Sequence, residues 1–151
     1  MINTTEGFTL VRTFDATREE IWTAWTDPDS VAKWWHPRGT STPRETVDID
    51  ARVGGRYTYA MVNDATGEKV VTGGTYLTVD PFERLAFTWG NPDDDPDDSP
   101  VVTVTLEPVA DGTRMTFELR GVTGAKGDGY FYDGWDATLD SLSEHLGGPA
   151  A

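Results

Sequence analysis

Apolar positions along the chain follow two different periods. From Phe8 to Phe14 they alternate with polar ones, the mark of a strand of mixed faces. Thr17-Arg18-Glu19-Glu20 is a capping box, in which a hydroxyl and a carboxylate three residues apart satisfy two free backbone donors. The helix it opens carries Ile21 and Trp25 on one face, with Trp22 and Ala24 beside them. Asp27-Pro28 starts a second, shorter helix holding Val31, Trp34 and Trp35 and ending at Pro37.

Beyond residue 40 the period drops to 2. Val47 and Ile49 sit in a short strand ended by Gly54-Gly55. Tyr57, Tyr59 and Met61 form one strand face, and Asn63–Gly67 reads as a turn. Val70–Val79 is a strand interrupted by Gly73-Gly74, where a bulge or bend is expected. Asp80–Glu83 turns the chain into Leu85, Phe87 and Trp89, and a polar loop runs from Asn91 to Pro100. Val102, Val104 and Leu106, the hairpin signal Asp111-Gly112, and Met115, Phe117 and Leu119 complete the run, with Thr58, Thr78 and Thr88 expected to face solvent. Phe131, Trp135, Leu139, Leu142 and Leu146 then form one apolar stripe on a helix from about 129 to 146, stopped by Gly147-Gly148-Pro149. Clustered strands closed by a helix give an α+β class, with an antiparallel sheet of six to seven strands and one domain over residues 1–151, its core at about 8–146.

Composition narrows the function. The net charge of −14 excludes a nucleic-acid binder held by a basic face and opposes docking on anionic lipid. The chain has no cysteine, so thiolate catalysis, thiolate metal sites and disulfides are excluded. The N-terminus lacks the basic and apolar regions of a signal peptide, and no apolar run reaches the ~18 residues of a membrane span. A cytoplasmic protein is expected.

The order of elements resembles the helix-grip fold of the START-like, or SRPBCC, superfamily: a curved antiparallel sheet around a long C-terminal helix, with two short helices after the first strand. Within it the chain resembles the activator of heat-shock-protein ATPase homologue-like family. The likeness rests on Asp27-Pro28 with Lys33-Trp34-Trp35-His36-Pro37, and on Asp50-Ala51-Arg52-Val53-Gly54-Gly55-Arg56-Tyr57. It continues in Gly73-Gly74-Thr75-Tyr76, in Pro81-Phe82-Glu83-Arg84-Leu85-Ala86-Phe87-Thr88-Trp89 and in Gly112-Thr113-Arg114-Met115-Thr116. Gly134-Trp135 with Leu139 and Leu142 completes it. The resemblance implies a cavity between sheet and helix for an apolar or amphipathic ligand, without a cofactor. A chaperone-interacting, activator-like protein is a further alternative; against it, the eukaryotic chaperone activator carries a second domain, for which 151 residues leave no room.

The candidate ligand-binding residues are Trp35, Tyr57, Tyr59, Met61, Tyr76, Phe87, Trp89, Phe117, Phe131 and Trp135. They lie on faces that can look inward, around an enclosed apolar pocket of roughly 300 Å³ or more beside Trp135. The three tyrosines can add hydroxyls that orient a ligand. The alternative for these aromatics is plain core packing. His36 is the candidate general base for a cyclase- or hydratase-type reaction, against a plain loop histidine. His145 lies off the apolar stripe and is expected to be exposed. No metal site is expected: the histidines are far apart, and Asp93–Asp98 lacks the Gly and Glu of a calcium loop and reads as a solvated hairpin loop. Arg52, Arg56, Arg84, Arg114 and Arg120 could hold a ligand carboxylate, with surface pairing as the default. Exposed edge strands and the aromatic content allow a homodimer, and the acidity favours a neutral or cationic ligand.

Overall fold

The structure is a computed structural model that describes residues 6–36, 39–110, 112–128 and 131–146. The turn residue Asp111, the start of the last helix at 129–130 and its stop at Gly147–Pro149 lie outside those residues; the second short helix, expected to hold Trp35 and run to Pro37, ends at Trp34. The chain runs β1 (Gly7–Phe14), α1 (Arg18–Thr26), α2 (Pro28–Trp34), β2 (Thr40–Ser41), β3 (Asp48–Ile49), β4 (Arg56–Asn63), β5 (Lys69–Asp80), β6 (Arg84–Thr88), β7 (Val101–Val109), β8 (Gly112–Arg120) and α3 (Phe131–His145). The antiparallel strands form an eight-stranded sheet in the order β1-β8-β7-β6-β5-β4-β2, with β3 also paired to β4. The short strand expected at Val47 and Ile49 is β3, which begins just after Val47, and the two-residue β2, not anticipated, brings the count to eight. This is the α+β, helix-grip-like architecture: two short helices follow β1, and a long helix closes the chain. No described helix is long and apolar enough to cross a membrane.

The capping box forms as its residues require. Glu20 N–H donates to Thr17 Oγ1 at 3.1 Å, and Thr17 N–H donates to Glu20 Oε1 at 3.2 Å. Asp27 closes α1 and caps α2 at once, its carboxylate accepting from Ser30 N–H at 3.1 Å. Trp34 and Trp35 are adjacent, so a continuing helix would turn them 100° apart. The helix stops at Trp34, and Trp35 leaves it at ψ 68°, so both indoles reach the core, exposed by 0% and 2%. Trp25 meets them edge to face, its ring 4.7 Å from Trp34 and 5.3 Å from Trp35.

β5 joins two parts of the sheet: Lys69 pairs opposite Val62 and Thr75 opposite Arg56 on β4, while Tyr76 pairs opposite Phe87 and Asp80 opposite Arg84 on β6. The register shift lies between Tyr76 and Thr78, downstream of the expected Gly73-Gly74. Those glycines serve close approach instead: a Cβ on Gly74 would lie 2.0 Å from the Thr88 carbonyl oxygen. This crossing corrects the expectation that Thr88 faces water. Thr88 is 2% exposed, and its hydroxyl accepts from Thr75 N–H at 2.8 Å.

On β1, Phe8, Leu10 and Phe14 enter the core, and Arg12 on the same face reaches α3. Its guanidinium donates to the Asp140 carboxylate at 2.7 Å, to the Asp136 carbonyl at 3.1 Å and to the Asp136 carboxylate. Asp136 and Asp140 stand one helical turn apart, so a single forked side chain grips both.

Candidate functional site: an aromatic chamber under the long helix

The inward stripe of α3 lies over the aromatic face of β4 and the end of β6. Between them is a chamber of about 100 Å³ lined by Trp35, Tyr59, Met61, Trp89, Phe131, Gly134, Trp135 and Thr138. It stands beside Trp135, is partly open to the surface, and has about a third of the volume of the enclosed pocket expected there. Dense aromatic packing behind it accounts for the difference. Of the ten candidate residues, Trp35, Tyr59, Met61, Trp89, Phe131 and Trp135 come together at the chamber. Tyr57, Tyr76, Phe87 and Phe117 are not brought to its wall and pack in the core, each exposed by 1% or less. Phe117 backs the wall, its ring centroid 4.6 Å from that of Trp135.

The ring centroids trace a continuous wall. Tyr59 is 5.0 Å from Trp35, Trp35 6.2 Å from Trp135, Trp135 5.4 Å from Trp89, and Trp89 5.7 Å from Phe131. Met61, Trp89 and Phe131 also line a neighbouring surface groove of about 440 Å³, whose other walls include Val70, Val71 and Asn91. Val70 and Val71 are exposed by 58% and 48%.

The three tyrosine hydroxyls differ in use. Tyr57 donates to the Thr88 carbonyl at 2.6 Å, and burial pushes its phenol pKa well up. The Tyr76 hydroxyl is buried without a hydrogen-bond partner, and its pKa is raised by burial and then by Asp50. Tyr59 is the phenol in the chamber wall; burial raises its pKa, partly offset by the neighbouring Trp89 and Thr72 side chains. It is the one titratable group among the described lining residues, and it keeps its proton at ordinary pH. Among the described lining residues no acid is paired with a base.

His36 is not brought to the chamber wall. Its Nδ1 lies 3.1 Å from Thr42 Oγ1, and that hydroxyl donates its proton to the Trp35 carbonyl at 2.9 Å. The hydroxyl has one proton, so Nδ1–H is the donor in the first contact. Burial lowers the His36 pKa, with Asp64 opposing. His145, expected to be exposed, is half-buried beside Glu19, Glu20, Thr23 and Ser30; burial and Lys33 lower its pKa. Among the described residues no group of three His, Cys, Asp or Glu side chains is placed to hold a metal ion. Asp95 caps a single 3-10 turn at Pro96–Asp98 in the acidic loop. Arg52, Arg114 and Arg120 pair with Asp50, Glu107 and Glu118 at 2.8, 3.7 and 3.8 Å, and Arg56 donates to the Pro92 carbonyl.

Sequence reasoning missed Gly134 and Thr138 as chamber residues. The available signal was a glycine inside a helical stripe, an exception to helix propensity that calls for a reason.

Comparisons with known proteins agree with this architecture. No curated protein matches the chain. Among solved structures, a Chromobacterium violaceum protein is 31% identical, with a TM-score of 0.80 over 93% of this chain and 97% of that one. An AHSA1 protein from Silicibacter pomeroyi is 26% identical, with a TM-score of 0.77 over 93% and 97%. An AHSA1-like protein from Aeromonas hydrophila, 22% identical, has the same fold with a TM-score of 0.77 over 93% and 92%. The family model for activator of Hsp90 ATPase homolog 1-like proteins matches residues 15–147, from the turn after β1 to the end of the helix that roofs the chamber, and the chain belongs to that family.

Proposed function

We propose that this protein binds a small apolar or amphipathic molecule in the chamber between β4 and α3. Gly134 carries the reading. It lies inside α3, where glycine costs about 1 kcal/mol relative to alanine. Glycine is required neither by a positive φ nor by crowding: a Cβ there would meet nothing within 4 Å. What the missing side chain does is leave the chamber wall open. Apolar lining with few polar groups is the ordinary make-up of a small-molecule site.

The test fills the space. Gly134→Ala should raise stability by about 0.5–1 kcal/mol. Gly134→Leu should keep the fold by circular dichroism and weaken binding of a compact apolar probe, 3,3-dimethylbutan-1-ol, at least tenfold. Binding is read from the fluorescence of the chamber tryptophans. Destabilisation by Gly134→Ala, or unchanged binding to a folded Gly134→Leu protein, would remove the chamber as the site.

A further inference from the structure

Two donors in the chamber wall have no counterpart in the protein. The indole N–H groups of Trp89 and Trp135 are buried without a hydrogen-bond partner among the described residues. The two rings are neighbours, with centroids 5.4 Å apart and planes at 62°, and both line the same space of about 100 Å³. A buried donor left unpaired gives up its bond to water and gains nothing in return, so such groups are rare and each calls for a reason. The core shows the ordinary outcome at Trp34, whose N–H donates to the Ala24 carbonyl at 2.6 Å. Trp25 Nε1 and the Tyr76 hydroxyl are also unpaired, but neither residue lines the chamber.

We propose that the ligand of the chamber carries a neutral carbonyl group, as in a small ketone, aldehyde or ester, whose oxygen accepts from the Trp89 and Trp135 indoles. The proposal rests on the ligand-binding reading above and deepens it. A carbonyl oxygen has two lone pairs, one for each N–H, and no hydrogen of its own. The Tyr59 phenol, beside Trp89 and protonated at ordinary pH, adds a hydroxyl to the same wall.

Other polar groups match this wall less well. An amine or a primary amide brings N–H hydrogens that need acceptors. The wall has two side-chain hydroxyls, Tyr59 and Thr138, and Thr138 already donates to the Gly134 carbonyl at 2.8 Å. A carboxylate has the right lone pairs but adds a charge, and no cation stands among the described lining residues to pair with it. Burying an unpaired charge costs far more than burying a carbonyl. The small volume suits a carbonyl with short alkyl groups, and anything longer leaves by the groove at Val70 and Val71.

The decisive comparison sets butan-2-one against 2-methylbut-1-ene, which has a methylene in place of the oxygen, each titrated into the full chain. Tryptophan fluorescence gives the affinities, and proton–nitrogen NMR follows the indole N–H groups. In the unaltered protein the ketone should move the Trp89 and Trp135 indole N–H resonances downfield, and the alkene should not. Trp89→Phe and Trp135→Phe each keep an aromatic wall and remove one donor. Each should weaken the ketone at least fivefold while changing the alkene less than threefold. Three results overturn the carbonyl assignment: no binding of the ketone, equal weakening of both probes in a folded variant, or indole resonances that respond alike to both probes. Where a variant does not fold, the resonances of the unaltered protein decide. The ligand-binding reading falls as well only if the alkene and 3,3-dimethylbutan-1-ol also fail to bind.

Discussion

Arg12 is the test of how the long helix is held on the sheet. Arg12→Met keeps most of the side-chain volume and removes the guanidinium, together with its contacts to Asp136 and Asp140. The Arg12 side chain is 23% exposed, but the two carboxylates are 45% and 47% exposed, so solvent screens both ion pairs. Each pair then contributes about 0.5–1 kcal/mol and the carbonyl bond about 0.5 kcal/mol. Freed of their partner, the two carboxylates repel one helical turn apart, adding about 0.2–0.5 kcal/mol. The total is about 2 kcal/mol, or a fall in Tm of about 4–8 °C for a chain of this size. Urea unfolding at low salt gives the loss directly. A double-mutant cycle with Asp140→Asn should isolate a coupling of about 0.5–1 kcal/mol, which shrinks at 1 M salt where the screening length falls to about 3 Å. A change below about 0.5 kcal/mol, or zero coupling to Asp140, would refute the clamp.

Tyr57→Phe removes the buried donor to the Thr88 carbonyl and should cost about 1–3 kcal/mol in urea unfolding. Tyr76→Phe removes a buried hydroxyl that has no partner and should be neutral or stabilising; equal losses in the two would contradict the assignment. The His36 pKa lies below its ordinary value because of burial, so the unfolded chain binds that proton more tightly. Its share of stability is complete above the unfolded pKa of about 6.5 and is lost as the pH falls from there toward the lowered folded value. His145 acts in the same direction, so His36→Gln should flatten the acid slope of stability between pH 7.5 and 5 without abolishing it. Parallel slopes for the two proteins would show that His36 contributes nothing.

Much of the fold was readable from the chain because each element is locally determined. The capping box, the Asp27-Pro28 restart and the period-2 faces of β4, β7 and β8 follow from backbone chemistry within a few residues. Of the six chamber residues that were anticipated, Tyr59, Met61 and Trp89 came from strand alternation, Phe131 and Trp135 from the apolar stripe of the last helix, and Trp35 from the end of the second short helix. What local pattern cannot encode is how elements meet. Thr88 alternates with Phe87 as a solvent-facing residue should, yet Gly74 passes close enough to cover it. Tyr57 and Phe87 have the pattern of pocket residues, but how deep a residue lies on a concave face depends on the sheet as a whole. Arg12 reads as a polar break in an apolar face until α3 brings two carboxylates to it.

The pairing of β1 with β8 also shapes how the protein is born. Gly7 lies opposite Arg120 and Phe14 opposite Thr113, so β1 has no sheet neighbour until about a hundred residues later. At 5–20 residues per second, it waits unpaired on the ribosome for about 5–20 s. The segment Gly7-Phe8-Thr9-Leu10-Val11-Arg12-Thr13-Phe14 is an aggregation-prone β sequence but for one charge at its centre. Arg12 therefore acts twice in the life of the chain. It is first a gatekeeper that keeps the nascent strand from self-association, and later, once the final helix has emerged, the fork that fastens that helix down.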